Sequence, residues 1–123
     1  MSSVRNKRVL IVEDEYFLAG DLKDELERRG ALVVGPFGSV DDAARMIATT
    51  PLDCAVVDLN LHGRSGLGLL EHLRDNGTPA LIVSGYDSED IETPDAEERL
   101  VKPASPAAIS SAIETLLTTR PNR

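Results

Sequence analysis

Val9-Leu10-Ile11-Val12-Glu13-Asp14 opens with four aliphatic residues in a row and is then cut off by two acids. A strand with one face in water alternates apolar and polar residues. A run that is apolar at every position is buried on both faces, as the inner strands of a parallel sheet are. The same pattern returns at Ala31 to Val34, Cys54 to Val57 and Ala80 to Val83, and in shorter form at Leu100-Val101. Helical spacing fills the gaps: Leu18, Leu22 and Leu26, then Val40, Ala43, Ala44 and Ile47, then Leu67, Leu70 and Leu73. The last helix is marked most clearly, with Ser105 as N-cap, Pro106 at the first helical position and Ile109, Ala112, Ile113, Leu116 and Leu117 along one face. Strand and helix signals that alternate in this way predict an α/β fold, a five-stranded parallel sheet with helices on both faces.

One interval breaks the rhythm. Between Gly85 and Glu98, where a fourth helix is due, acids stand at 87, 89, 90, 92, 95, 97 and 98, no base occurs, Pro94 interrupts and Ile91 is the sole large aliphatic. Like charges repel along such a helix and it has little to bury, so a short or mobile fourth helix is expected. The repeating pattern otherwise occupies the whole of residues 1–123, predicting a single domain with no output domain, and 1–6 and 118–123 read as loose ends.

Composition narrows the function classes. Against 13 basic residues stand 21 acidic ones, a net charge of −8, so phosphate backbones and anionic lipid headgroups are repelled. Neither nucleic acid nor membrane is an expected partner. Cys54 is the single cysteine, so no internal disulfide can form. Without a span-length apolar run or a signal-peptide core, a cytoplasmic location is expected.

In an open parallel sheet, ligands gather where strands end at their carboxyl edge. The residues at those ends are Glu13 and Asp14, Asp58, Ser84, and Lys102 followed by Pro103. Carboxylates brought together at one edge repel, and either a raised pKa or a divalent cation relieves them. Oxygen ligands without clustered thiolate or imidazole favour a hard ion such as Mg2+. A lysine and a hydroxyl beside it suit the oxygens of a phosphoryl group. Taken singly, each residue has a plainer role: Asp58 as a helix cap or turn residue, Lys102 as a surface lysine, Ser84 in a turn. The three acids 13–15 could simply favour the positive end of the following helix. His62 and His72 are expected to be exposed, and Cys54 to be a small core residue.

The pieces Val9-Leu10-Ile11-Val12-Glu13-Asp14-Glu15, Val56-Val57-Asp58-Leu59-Asn60-Leu61, Ile82-Val83-Ser84-Gly85 and Leu100-Val101-Lys102-Pro103, in this order and spacing, resemble the receiver domain of bacterial two-component response regulators. The resemblance implies a flavodoxin-like (βα)5 fold with strand order 2-1-3-4-5. It implies a phosphoacceptor with intrinsic autophosphatase activity rather than a classical enzyme, and a sensor histidine kinase as donor. Asp58 would be the phosphoacceptor. Asp14, Asp58 and the carbonyl of Asn60 would hold Mg2+, with Glu13 helping through water. Lys102 and Ser84 would bind phosphoryl oxygens, and Lys102-Pro103 would be the family's cis bond. The signal would pass to a downstream protein target or a phosphotransfer protein.

Two positions depart from the pattern. Arg99 stands where such domains carry an aromatic switch residue, and a guanidinium is not buried as a ring is. Tyr86, two residues after Ser84, is a substitute ring at a position expected to govern hydrolysis of the aspartyl phosphate. Together with the sparse fourth helix they imply a variant switch in which 85–98 is reshaped on phosphorylation. The alternatives are weaker. A dehalogenase-like phosphatase would carry a second Asp where Asn60 stands, and a flavodoxin proper would not set Glu13 and Asp14 against a bound phosphate. A receiver-fold module that binds protein without being phosphorylated is the remaining rival, although such a module would usually lack the intact acids found here.

Overall fold

The computed structural model describes residues 3–85 and 98–119. Its elements run β1 (Arg8–Val12), α1 (Tyr16–Arg28), β2 (Leu32–Phe37), α2 (Val40–Thr49), β3 (Cys54–Asp58), β4 (Asn60–Leu61), β5 (Arg64–Ser65), α3 (Leu67–Asp75), β6 (Ala80–Ser84), β7 (Glu98–Val101) and α4 (Pro106–Thr119). Five parallel strands form one sheet in the order β2-β1-β3-β6-β7, which is the flavodoxin-like order once the small antiparallel β4-β5 hairpin is set aside.

The aliphatic runs are explained by the two cores. Successive strand side chains point to opposite faces. Val9 and Ile11 of β1, Val56 of β3, and Leu81 and Val83 of β6 therefore meet Leu22 and Leu26 of α1 and Ile109, Ile113 and Leu116 of α4. Leu10, Val12, Ala55, Val57 and Ile82 point the other way, against Ala43 and Ile47 of α2 and Leu69, Leu70 and Leu73 of α3. Every residue of β3 and β6 is buried. Fully burying a Val, Leu or Ile side chain contributes about 1.5–3 kcal/mol, so an inner strand with an aliphatic residue at each position anchors both layers at once.

Helix starts follow the sequence signals. The Ser39 hydroxyl accepts from the Asp42 N–H at 3.2 Å, and Asp41 and Asp42 occupy the positive first turn of α2. Ser105 accepts from the Ala108 N–H at 3.0 Å, with Pro106 opening α4.

Departures from the expected boundaries lie at the sheet's edges. β2 runs on through Phe37 instead of stopping at Val34, with a register irregularity opposite Leu10 to Val12. Pro36 is tolerated because β2 is an edge strand, where a missing N–H costs no ladder bond. β7 starts at Glu98, two residues before the aliphatic pair, and it forms the opposite edge, where charged residues are at home. The fourth helix expected between Gly85 and Glu98 falls outside the described residues. No helix of the described residues is long and apolar enough to cross a membrane.

Candidate phosphoryl-acceptor site

β1 and β3 are neighbours, and the chain leaves β1 towards β2 on one side and β3 towards β6 on the other. Their carboxyl ends therefore flank the crevice where the strand order reverses. Glu13 and Asp14 follow β1, with the Glu13 N–H donating to the Phe37 carbonyl at 2.9 Å; Asp58 closes β3. The three carboxylates each place an oxygen within 4.8 Å of the other two. Lys102 follows β7, and its N–H donates to the Ser84 carbonyl at 2.6 Å, fixing the end of β7 beside the end of β6.

Asp58 is only 3% exposed. Its Oδ1 accepts from the Asn60 N–H at 3.0 Å and its Oδ2 from Lys102 Nζ at 3.0 Å. Lys102 Nζ also donates to Glu13 Oε2 at 3.3 Å and to Glu15 Oε2 at 2.8 Å, so one ammonium serves three carboxylates. Burial works against its charge, but hydrogen bonds to Glu15 and Asp58 and the fields of Glu13 and Asp58 prevail and hold its pKa above the ordinary lysine value. Lys102 is a permanent cation of the site.

The balance is still negative. Burial, the hydrogen bond to Asp58 and the Asp58 charge push the Glu13 carboxyl up to about 7, against the opposing pull of the Glu15 N–H and Lys102. The unfolded chain releases this proton near 4.5, so between 4.5 and 7 the native state binds more protons and stability falls as pH rises. Without divalent ions, the urea midpoint is expected to be lower at pH 7.5 than at pH 5, and Glu13→Gln should flatten that difference. Equal pH dependence in the two proteins would exclude Glu13 as its source. The donors are hard oxygens with no thiolate among them, which fits Mg2+.

Asp14 is held from a direction the sequence did not disclose. The two-residue turn between β4 and β5 has both central residues, His62 and Gly63, at positive φ (51° and 80°), the primed geometry of tight hairpins. It delivers the His62 N–H to Asp14 Oδ2 at 2.8 Å, with the ring Nδ1 3.5 Å from the same oxygen. The imidazole is exposed, as expected. Asn60 Oδ1 ties the turn back by accepting from the Gly63 N–H at 3.0 Å. A cavity of about 310 Å³ opens over Asp14, Asp58, Asn60, His62 and Lys102.

The other expected residues stand around this centre. Ser84 is fully buried at the end of β6, and its hydroxyl accepts from Arg99 Nε at 3.3 Å. Arg99 of β7 pairs with Ile82, two residues before the Val101 that lies opposite Ser84, and at the position where the resemblance led to the expectation of a ring its guanidinium reaches the serine. The Lys102-Pro103 bond is cis, as is Gly35-Pro36. Tyr86 falls outside the described residues. Glu15 is the residue to which the sequence reading gave no contact in the site. It is the N-cap of α1, yet its side chain makes no capping bond and turns to Lys102 instead. The only signal available was its adjacency to the acidic pair. Cys54 is buried and free, and burial pushes its thiol up to about 12.

Comparison with known proteins bears on this geometry. The chain is 32% identical over 120 residues to the transcriptional activator protein PfeR of Pseudomonas aeruginosa, covering 94% of this chain and 39% of that protein. It is 32% identical over 116 residues to the two-component response regulator PhoP of the same organism, covering 89% of this chain and 51% of that one. It thus spans about half or less of these relatives' length. Among solved structures, the receiver domain of the Francisella response regulator 1452 superposes with a TM-score of 0.79 at 26% identity, covering 92% of this chain and 98% of that one. A CheY-like receiver domain protein from Methanospirillum hungatei, at 24% identity over 92% of this chain and 94% of that chain, shares the fold with a TM-score of 0.81. With residues 9–114 matching the response regulator receiver domain as a family, the acidic pocket at the end of β1 and β3 has its relatives, and the chain belongs to the receiver domains of two-component response regulators.

Proposed function

We propose that this receiver accepts a phosphoryl group from a sensor histidine kinase onto Asp58, with Mg2+ bound by Asp14, Asp58 and the Asn60 carbonyl and assisted by Glu13, and passes the signal to a protein partner. The observation that carries the reading is the state of Asp58. It is a buried carboxylate at the floor of an open cavity, with one oxygen on a backbone N–H and the other on an ammonium, and two further carboxylates within ligand distance.

In the transfer, an Asp58 oxygen forms a bond to phosphorus while the phosphorus–nitrogen bond of a phosphohistidine breaks, its electron pair returning to the imidazole. Mg2+, when bound, supplies charge neutralisation between the carboxylates and the phosphoryl oxygens. Lys102 meets a second phosphoryl oxygen as a point charge, its ammonium held at the cavity by its bond to Asp58. Ser84 accepts from Arg99 and so keeps its own proton to give to a third oxygen. Its hydroxyl must turn towards the cavity to do so, and that turn disturbs the Arg99 contact at the edge strand. Phosphorylation would then reach the surface of β7 through a hydrogen bond rather than a ring. In the loss of the phosphoryl group, a water oxygen bonds to phosphorus while the Asp58 oxygen–phosphorus bond breaks, returning the electron pair to the carboxylate and releasing inorganic phosphate and a proton to solvent.

Amide NMR spectra recorded before and after Mg2+, and again after beryllofluoride, test the reading. Mg2+ is expected to shift Glu13, Asp14, Asp58 and Asn60, and beryllofluoride then to shift Ser84, Arg99 and Lys102. Mg2+ binding with no response to beryllofluoride would instead favour a receiver-fold module that binds its partner without phosphorylation.

A further inference from the structure

The contact of Glu15 with Lys102 has no part in the scheme above, and the geometry assigns it one. We infer that Glu15 is an internal competitor for the phosphoryl group: its carboxylate occupies the place on the Lys102 ammonium that a phosphoryl oxygen must take, and so sets how readily Asp58 is phosphorylated. The inference rests on the phosphoacceptor reading of Asp58.

An ammonium has three N–H donors, and those of Lys102 face three carboxylates, Glu15 at 2.8 Å, Asp58 at 3.0 Å and Glu13 at 3.3 Å. A phosphoryl oxygen approaching Lys102 has to displace one of them. Asp58 and Glu13 are poor candidates to leave, since their side chains are 4% and 5% exposed and a buried carboxylate that loses its cation is costly. Glu15 is 60% exposed and, once released, is solvated by water at little cost.

There is also room for it to go. Glu15 and Lys102 line the phosphoryl cavity on one side and, on the other, a separate groove of about 460 Å³ floored by Leu18, Pro103 and Ala104. The pair forms the wall between the two. Rotation of Glu15 away from Lys102 opens that wall without moving any strand. In its resting position Glu15 also places a negative charge beside the path of an anionic phosphodonor. Both effects oppose phosphorylation and both vanish when the carboxylate is removed. Because Glu15 makes no side-chain capping bond to α1, replacing it removes no hydrogen bond from the helix start.

The test is the rate of labelling of the full chain by acetyl phosphate with Mg2+, for the parent protein, Glu15→Gln and Glu15→Asp, with Asp58→Asn as blank. Glu15→Gln is expected to be labelled about two- to fivefold faster, the scale of one exposed ion pair, and the advantage should shrink as salt rises from about 0.05 M to about 0.5 M. Glu15→Asp keeps the charge but is one methylene too short to hold Lys102, and should also be faster than the parent. Equal or slower labelling of Glu15→Gln would overturn the inference, as would a Glu15→Asp rate equal to that of the parent, which would leave only local charge and no contact. Should the parent protein take no label above the Asp58→Asn blank, the phosphoacceptor reading itself fails, a result separate from the ranking of the variants.

Discussion

Asp58→Asn is expected to lower labelling by a small phosphodonor at least ~100-fold, a loss of about 2.7 kcal/mol of transition-state stabilisation. The substitution is chosen because it changes chemistry more than shape. An amide oxygen in place of Oδ1 can still accept the Asn60 N–H at 3.0 Å, so the turn into β4 keeps its anchor. What disappears is the anionic nucleophile, which is also one of the three carboxylates on Lys102 and one of the three clustered where Mg2+ would sit. Phosphorus attacked by a neutral amide would leave a high-energy imidate, so no rearrangement of the neighbours restores the reaction. Peptide mapping of the labelled proteins completes the measurement. Label persisting in Asp58→Asn at Asp14, which is also acidic and faces the same cavity, would transfer the acceptor role to that residue and sink the assignment.

What the sequence disclosed and what it withheld divide along a physical line. β1, β3 and β6 were legible because a strand buried on both faces can carry almost nothing but aliphatic residues, and Val9 to Val12, Cys54 to Val57 and Ala80 to Val83 do so. The centre of the site was legible for a related reason: once the parallel strands are placed, the polar residues that follow them must lie at the shared carboxyl edge, which brings Glu13, Asp14 and Asp58 from the inner strands together with Lys102 from the edge strand β7. β2 and β7 were read short because edge strands are held by backbone pairing on one side and accept Gly35, Pro36, Glu98 and Arg99 without an apolar signature. The His62-Gly63 turn and the direction of Glu15 could not be read at all. Each depends on which way one backbone N–H or one side chain points after distant strands have met, and a local pattern carries no such information. Arg99 was half legible. By the resemblance its sequence position was one where a ring is expected, but only the packed structure shows its guanidinium on the Ser84 hydroxyl.

Gly66→Ala is expected to cost about 1–3 kcal/mol, the range for forcing an extra carbon into a packed site, and to impair the acceptor site with it. Gly66 has φ −83° and ψ 1°, angles open to any residue, so the requirement for glycine is one of space and not of backbone conformation. A Cβ there would lie 2.6 Å from the Asp58 carbonyl oxygen and 3.2 Å from Val57 Cγ1. Neither neighbour is the end of a flexible side chain. Gly66 cannot simply retreat, because its N–H donates to the Leu59 carbonyl at 2.8 Å and its carbonyl accepts from the Leu69 N–H at 3.0 Å at the start of α3. Relief must come from displacing the end of β3, the segment that aims Asp58 at the cavity. Weaker Mg2+ binding should therefore accompany the lower urea midpoint. Gly68→Ala supplies the contrast two residues away. Nothing lies within 4 Å of a Cβ at Gly68, and alanine is favoured over glycine inside a helix by about 0.5–1 kcal/mol, so that variant should be more stable than the parent. Opposite signs at Gly66 and Gly68 are the expected result. A neutral Gly66→Ala with unchanged Mg2+ affinity would mean that β3 can yield at Asp58 without penalty, and that the close approach of Gly66 does not fix the acceptor in place.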